Sequence, residues 1–384
     1  MSEYNIYKNK YFRFNKKIQF GGSSNKLITK ELNENNTKLK YKVFEYFDDF
    51  PNPEKEILRF KVLHKINEKF PTIKIIDIML YGYADNKNNK DPILCTDLNK
   101  YLDDLELSKK IDKNIEENVN IINKVENKNF KIIKEMKKNL VFLTYNGIEV
   151  LLNLTSYNRI KSQQIIKTEY DFDTILWCLL YRYNNLKLLY GYSGSVIPEQ
   201  YLKINKKYNC NVECFGGFIN HTLKYYFGLF YDLEKYFGCL GNFFNCELIE
   251  GFYVANPPFA VDFINNTINK IKNIYDNDND NDKKFTLLLV IPSWDISDRL
   301  ILNNICKSQL RIDYKNDIIS KTLKDVSYCK NYCLYCKENF PYYDFIKNKN
   351  INYAASNLIL LSSYNINFDL SIFPKYNYQI NLDN

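Results

Sequence analysis

The run Phe285–Ile291 constrains the fold most, because every residue in it is apolar except one threonine. A short apolar run with β-branched residues at its end is typical of a strand buried on both faces in the middle of a parallel sheet. Apolar runs at 251–255 and 357–361 are also strand-like, and segments with helical spacing lie between the strands. This alternation predicts an α/β fold with a doubly wound sheet, whose sites lie at the carboxyl ends of strands.

The alternating pattern begins near residue 206 and defines a predicted domain over 206–384. Its predicted strands are 211–215, 251–255, 285–291 and 357–361, and its predicted helices are 220–231 and 260–275. The tract 276–282 contains only Asp and Asn, so we expect it to be a solvated loop.

The preceding part of the chain has a mainly helical pattern over 46–205. Prolines at 51 and 53 precede apolar residues at helical spacing, 109–138 has the pattern of an exposed amphipathic helix, and 173–183 has that of a buried helix. Two apolar runs around an Asn-Gly pair predict a hairpin near 140–154. Residues 1–45 are polar and are predicted to form an N-terminal arm.

The composition limits the partners of the chain. A net charge of +8, from 53 Lys and Arg against 45 Asp and Glu, is compatible with a polyanion, although codon bias explains much of the lysine content. We expect no membrane partner, because no stretch reaches the roughly 18 apolar residues of a spanning helix. Ten cysteines without a secretion signal predict reduced thiols inside a cell, with nucleus, cytoplasm, viral factory and virion all open.

The segment with the clearest chemistry is Asn256-Pro257-Pro258-Phe259, which directly follows the predicted strand 251–255. The two prolines fix φ and lack backbone donors, so the neighbouring carbonyl groups are rigidly aimed. The Asn256 side-chain carbonyl and the Pro257 backbone carbonyl can accept the two hydrogens of an exocyclic amine. Phe259 offers an aromatic face for stacking a base. The motif therefore predicts methylation of the N6 amine of adenine, with these four residues as the catalytic set.

The chain from Trp177 to Trp294 resembles the cap-specific adenosine N6-methyltransferase family, the phosphorylated-CTD-interacting factor. The shared pieces are Trp177-Cys178-Leu179-Leu180, Arg182-Tyr183, Val212-Glu213-Cys214-Phe215, Asn220, Tyr236-Phe237-Gly238, Ala255 through Phe259, Ile291-Pro292, Trp294 and, near the last strand, Asn357. Their order and approximate spacing agree with the family, with an insertion at the Asp/Asn tract.

The resemblance implies a Rossmann-like class I methyltransferase domain preceded by a mainly helical domain. It implies S-adenosyl-L-methionine as the cofactor, and as the partner an RNA with a 7-methylguanosine cap and a 5′-terminal adenosine, usually 2′-O-methylated. The implied cofactor residues are Glu213, Cys214, Phe215, Asn220, Asn256 and Phe259. Trp294 matches a segment that contacts the cap side of the substrate.

Two positions on the substrate side depart from the family pattern. Val261 stands where the family has an acidic residue, and Asp295 stands where it has an arginine. These departures weaken the prediction that the chain recognises a cap, but they do not affect the prediction of methyl transfer. The family's WW module is expected to be missing, so no direct binding to polymerase tails is predicted.

Further substrate contacts are predicted for Arg159, Arg182 and Asn357, although a structural ion pair explains Arg182 at least as well. The spacing of Cys329, Cys333 and Cys336 is a weak indication of a zinc site. The alternative is that these cysteines are ordinary reduced thiols. Two other functions stay open at this point. One is a DNA adenine-N6 methyltransferase, and the other is a catalytically silent, RNA-binding or regulatory relative.

Overall fold

The computed structural model of the chain describes residues 51–71, 130–189, 194–259, 261–276, 284–292, 341–352, 356–364 and 366–373, together with single positions between 106 and 125. It also describes the backbone of four strands, at 27–34, 37–44, 332–335 and 378–381.

Strands and helices alternate along most of the described chain. The strands are β1 (Leu27–Glu34), β2 (Thr37–Phe44), β3 (Ile133–Lys137), β4 (Leu140–Tyr145), β5 (Ile148–Asn153), β6 (Gly194–Val196), β7 (Val212–Glu213), β8 (Tyr225–Tyr226), β9 (Cys246–Ala255), β10 (Phe285–Pro292), β11 (Tyr332–Tyr335), β12 (Pro341–Asp344), β13 (Lys349–Asn352), β14 (Ser356–Ser362) and β15 (Tyr378–Asn381). The helices are α1 (Pro53–Lys69), α2 (Leu154–Ser162), α3 (Phe172–Asn185), α4 (Pro198–Tyr208), α5 (Tyr231–Glu234) and α6 (Val261–Asp276).

The described residues fall into two compact units that are interleaved in sequence. The first unit lies within 44–193 and 228–242, and the second lies within 27–43, 194–227 and 243–384. The chain is thus an α/β protein with a large mixed sheet in the second unit. The boundaries inferred from sequence, 46–205 and 206–384, stay a prediction.

The first unit packs α1 and α3 together with a three-stranded antiparallel sheet, in the order β3-β4-β5. The predicted hairpin is present, since β4 pairs with β5 around Asn146 and Gly147, both at positive φ. Helix α1 begins at Pro53, and the side chain of Asn52 caps it by accepting from the backbone of Lys55. The start signal in the sequence is therefore confirmed.

The predicted buried helix at 173–183 is confirmed as α3, whose apolar residues are buried on every side except at the half-buried Tyr181. Trp177 is fully buried, stacks on Tyr181 with ring centroids 4.8 Å apart, and donates from Nε1 to the carbonyl of Ile148. This indole therefore ties α3 to the adjoining hairpin.

The second unit is built on the large sheet. Strands β8, β7, β9 and β10 are all parallel, β14 is antiparallel to β10, and β11 and β15 continue the sheet by antiparallel pairing. All eight residues of β10 are buried, as the apolar run predicts for a central strand. A second sheet, in the order β13-β12-β6, belongs to the same unit.

Three local predictions were wrong. Within the predicted arm, 27–44 forms β1 and β2, and β2 pairs with the first half of β9. Within the predicted helix 109–138, the last part forms β3. Within the predicted helix 220–231, the chain turns and forms β8, because backbone groups there are engaged by Glu213 on β7. The predicted helix at 260–275 is present as α6.

The Asp/Asn tract lies outside the described residues except at its first position, Asp276, which ends α6. In the part of the chain that the structure describes, no helix is both long and apolar enough to cross a membrane.

Candidate functional site

Strands β7 and β9 lie side by side and are parallel, with Val212 opposite Tyr253 and Glu213 opposite Val254. After β7 the chain forms β8 on the outer side of β7 and then returns to form β9 on the other side. The strand order therefore reverses between β7 and β9. In open α/β sheets such a reversal opens a crevice at the carboxyl ends of the strands, where ligands bind.

This pairing also explains the short separation between Glu213 and Asn256 in the sequence. The connections between these parallel strands are abbreviated crossovers: the first passes through a loop to β8, and the second through short turns and a segment that belongs to the first unit. The carboxyl ends of β7 and β9 consequently lie at the same edge of the sheet, with Cys214 donating from its backbone to the carbonyl of Val254 at 2.7 Å.

Glu213, the last residue of β7, has a buried carboxylate, with the residue 1% exposed. Its Oε1 accepts from the backbone N–H groups of Thr222 and Leu223, at 2.5 and 2.7 Å. Two such bonds fold the following loop back over the end of the strand. Charge-assisted bonds of this kind are stronger than neutral ones, so Glu213 organises this end of the sheet as well as offering negative charge to a ligand.

Gly216 lies in that loop, where the backbone closely approaches β8. A Cβ at this position would lie 2.9 Å from Cβ of Tyr226, an atom that cannot move without its backbone. The backbone N–H of Gly216 also donates to the carbonyl of Phe227. Glycine is therefore required by packing against Tyr226, in a loop that lacks the longer glycine-rich pattern of many nucleotide sites.

We expect Gly216→Ala to lower the free energy of unfolding by about 1–3 kcal/mol, the usual cost of forcing extra volume into a packed site. The matched control is Gly194→Ala, because a Cβ there meets no atom within 4 Å. Urea denaturation followed by circular dichroism measures both variants. Equal midpoints for the two alanine variants would contradict the assigned packing role.

Cys214 and Phe215 follow Glu213 at the end of β7. Burial raises the pKa of the Cys214 thiol well above its usual range, so it stays protonated and contributes shape rather than charge. The half-buried Phe215 ring joins an aromatic cluster with Phe243, Phe244 and Phe263, at centroid distances of 4.7, 5.8 and 6.3 Å. This cluster forms an apolar wall between the end of β7 and the first turns of α6.

Asn256 directly follows β9, and its side-chain Oδ1 is buried without a hydrogen-bond partner among the described residues. A buried acceptor without a partner is costly, and in native proteins the missing partner is often a bound ligand, water or ion. Pro257 is buried beside it, and the fixed φ of both prolines limits how far the loop can relax to satisfy this oxygen. The motif thus places a hydrogen-bond acceptor, the Asn256 side-chain oxygen, where the strand order reverses.

Phe259 ends the motif just before α6. Its half-buried ring packs edge to face against Tyr342 of β12, with centroids 5.6 Å apart and ring planes at 83°. The ring therefore has support from within the second unit.

Of the other predicted site residues, only some lie in the part of the chain that the structure describes. Asn220 lies in the turn after β7, with its backbone N–H donating to the carbonyl of Gly217. Val261 begins α6 and Asn357 pairs with Ile291 in the sheet, but their side chains are outside the described residues. Trp294 and Asp295 also lie outside them. The structure therefore brings together the residues at the ends of β7 and β9, and these others stay predictions.

Arg182 belongs to the first unit and is completely buried. Its guanidinium donates to both carboxylate oxygens of Glu56 and to both of Asp232, at 2.6 to 3.1 Å. This geometry supports a structural ion pair for Arg182, which was the alternative from the sequence, rather than a substrate contact. Arg159 lies on α2 and donates to the side chain of Gln163, the residue that directly follows this helix. Its predicted substrate contact stays a prediction.

The predicted zinc ligands receive no test from the structure. Cys333 belongs to β11 by its backbone, while Cys329 and Cys336 lie outside the described residues. Within the described part, no three His, Cys, Asp or Glu side chains are grouped so that they could hold a metal ion.

Sequence reasoning missed Thr222, Leu223 and Tyr342 as supports of the site. The first two act through backbone N–H groups, which leave no signature in residue type. Tyr342 lies far from the motif in sequence, and the tyrosine-rich composition of the chain hides it. The glycine pair at 216–217 was a usable signal, because two glycines after a strand often mark a close approach of backbone.

The fold and this site define an α/β protein with a candidate ligand site where the strand order of a mixed sheet reverses. A family model described as the phosphorylated CTD interacting factor 1 WW domain matches residues 152–330. This match and the two relatives described next confirm the relationship to the phosphorylated-CTD-interacting-factor family that the sequence predicts. They do not support the prediction that the WW module is missing, since the matching model carries that description.

Two curated relatives are similar to this chain. An mRNA (2′-O-methyladenosine-N(6)-)-methyltransferase of Homo sapiens is 23% identical over 169 residues, which cover 41% of this chain and 24% of the human protein. The Mus musculus protein of the same name is 25% identical over 124 residues, covering 31% of this chain and 17% of the mouse protein. The similarity thus spans a quarter or less of the length of these relatives.

Proposed function

We propose that this chain is an S-adenosyl-L-methionine-dependent RNA methyltransferase that acts on the N6 amine of adenine. The observation that carries the proposal is the buried Oδ1 of Asn256, which lacks a partner among the described residues and lies where the strand order reverses. The printed names of the two relatives, both mRNA adenosine-N6 methyltransferases, support the same chemistry.

The chemistry of the adenine amine explains why an unused carbonyl oxygen is needed. The lone pair of that nitrogen is delocalised into the ring, so the amine is a poor nucleophile. The Asn256 Oδ1 accepts one N6 hydrogen and the Pro257 carbonyl accepts the other, which favours localisation of the lone pair on nitrogen. Acceptors that are already in place cost no reorganisation when charge develops in the transition state. Phe259 stacks on the base and sets its orientation.

The residues at the end of β7 fit the proposed cofactor. S-adenosyl-L-methionine, when bound, supplies an electrophilic methyl group on a positively charged sulfur. The buried carboxylate of Glu213 is an acceptor suited to its ammonium group or its ribose hydroxyls. The residues that would hold it are Glu213, Cys214, Phe215, Asn220, Asn256 and Phe259.

The arrangement of the large sheet supports a Rossmann-like class I methyltransferase fold for the second unit. Four parallel strands, in the order β8-β7-β9-β10, place the reversal next to the proposed cofactor residues. Beyond them β14 runs antiparallel, so the sheet is mixed rather than wholly parallel. We assign methyl transfer to this unit.

The proposed substrate is the cap-proximal adenosine, 2′-O-methylated, of an RNA with a 7-methylguanosine cap. The printed names of both relatives specify 2′-O-methyladenosine in mRNA. Trp294 is proposed to contact the cap side. Val261 and Asp295 depart from the family pattern on this side, so the cap is the part of the proposal that most needs an experiment.

A substrate panel tests the proposal. The purified full chain is incubated with S-adenosyl-L-methionine labelled in its methyl group and one of four substrates: capped RNA beginning with adenosine, the same RNA uncapped, RNA with an internal adenosine, and duplex DNA. We expect label in the capped RNA only. Label in DNA alone would make the chain a DNA methyltransferase. Cofactor binding without transfer to any substrate would favour a catalytically silent relative.

A further inference from the structure

Tyr342 packs edge to face against the ring of Phe259. It belongs to the central strand of the small sheet, where it pairs with Val196 of β6 on one side and Ile351 of β13 on the other. Its side chain is 4% exposed. Pairing with a strand on each side therefore fixes the backbone of Tyr342, from which the ring projects.

The hydroxyl of Tyr342 is fixed as well. It forms a 2.7 Å hydrogen bond with the hydroxyl of Ser356, which is completely buried. Ser356 is the first residue of β14, and it pairs with Pro292 at the end of the central strand β10. One end of the Tyr342 side chain is thus tied to the small sheet and the other end to the large sheet.

Phe259 itself lies in a loop, between β9 and α6, and is only half-buried. A ring in a loop keeps rotamer freedom unless neighbouring atoms restrict it. The edge-to-face contact with Tyr342 is a favoured geometry for aromatic pairs, and it restricts the Phe259 ring from a firmly anchored neighbour.

We infer that Tyr342 is a positioning residue, which holds the Phe259 ring in the orientation that stacks the substrate adenine. This inference rests on the proposed function and adds a residue from outside the motif to it. Tyr342 acts through Phe259 and takes no part in methyl transfer. Its loss should therefore weaken the binding of the base and leave the rate of the bound complex nearly unchanged.

The first measurement is steady-state kinetics on capped RNA. We expect Tyr342→Leu to raise the KM for RNA by about three- to tenfold, the range that the loss of one aromatic pair allows. Neither kcat nor the Kd of the cofactor should change by more than about twofold. Tyr342→Phe keeps the ring and should restore most of the affinity.

The matched control is Tyr343→Leu. Tyr343 is the next residue on β12, so its side chain points to the opposite face of the strand, where it packs against Phe345. The same chemical change there should leave the KM for RNA unaltered.

The second measurement reports stacking without methyl transfer. Capped RNA with 2-aminopurine as its first nucleotide is fluorescent, and stacking on an aromatic ring quenches it. Wild-type protein should quench this probe, Phe259→Ala should not, and Tyr342→Leu should quench it only in part. If Tyr342→Leu does not fold, Ser356→Ala takes its place, because it removes the anchoring bond and keeps both rings.

The outcomes are distinguishable. Folded Tyr342→Leu, or Ser356→Ala in its place, with wild-type quenching and wild-type KM would overturn the positioning role while leaving the proposed function intact. Wild-type protein that neither quenches the probe nor methylates RNA would overturn the proposed function and this inference together.

Discussion

Asn256→Ala is expected to lower kcat for methyl transfer by about 10²–10³-fold, the usual effect of removing one preorganised partner of a transition state. The alanine methyl group cannot accept the N6 hydrogen, so the amine keeps its delocalised lone pair. The Kd of the cofactor should change little, because Asn256 is one of six residues proposed to hold it, and Glu213 and the wall around Phe215 are untouched. Single-turnover kinetics with labelled cofactor and capped RNA separates these two effects.

A matched control for this change exists in the same unit. Asn245 also carries a buried Oδ1 without a partner among the described residues. It lies just before β9, whereas Asn256 lies just after it, so the whole strand of ten residues separates them. Asn245→Ala should leave kcat near the wild-type value. An Asn256→Ala enzyme that retained more than a tenth of wild-type kcat would contradict the role assigned to this side chain.

Arg182→Met is expected to lower the free energy of unfolding by about 3–5 kcal/mol, because it breaks a buried charge network from one side. The methionine keeps most of the volume of the side chain and removes the positive charge. Glu56 would keep its bond to Arg59, but both bonds from Arg182 to Asp232 would be lost. The contact between the guanidinium and the Phe230 ring, at 5.0 Å, would be lost as well.

Tryptophan fluorescence can follow the unfolding of the first unit, to which Arg182 belongs. The chain has two tryptophans, so Trp294→Phe leaves Trp177, which is buried in α3 of the first unit, as the reporter of urea unfolding. The control in this background is Lys137→Met, which breaks an exposed pair with Glu135 and should barely move the midpoint. A comparably small shift for Arg182→Met would show that Arg182 is not a structural centre of this unit.

Much of the fold was predictable where the signal is local. β10 and β14 are apolar runs, α1 has a proline start and helical spacing, and the hairpin has its Asn-Gly turn. β2 was missed although Leu39, Tyr41 and Val43 alternate with lysines, a period-two pattern that predicts a strand. The polar composition of residues 1–45 masks this pattern.

The features that could not be predicted depend on contacts between distant parts of the chain. Glu213 engages the backbone of Thr222 and Leu223, and this interaction replaces the helix that local spacing favours there. Arg182 on an apolar helix was visible in the sequence, but its partners Glu56 and Asp232 were not. The candidate catalytic motif was predictable because its chemistry resides in four consecutive residues. Its support by Tyr342 required the structure.

Nucleoside analysis of the reaction product identifies the atom of the RNA that receives the methyl group. Capped RNA beginning with 2′-O-methyladenosine is incubated with the full chain and labelled cofactor, decapped, digested to nucleosides and separated by mass spectrometry. We expect the label in N6,2′-O-dimethyladenosine from the first nucleotide, and we expect Asn256→Ala to form this product about 10²–10³-fold more slowly. Label on a ring nitrogen, on ribose or on another base would contradict this expectation.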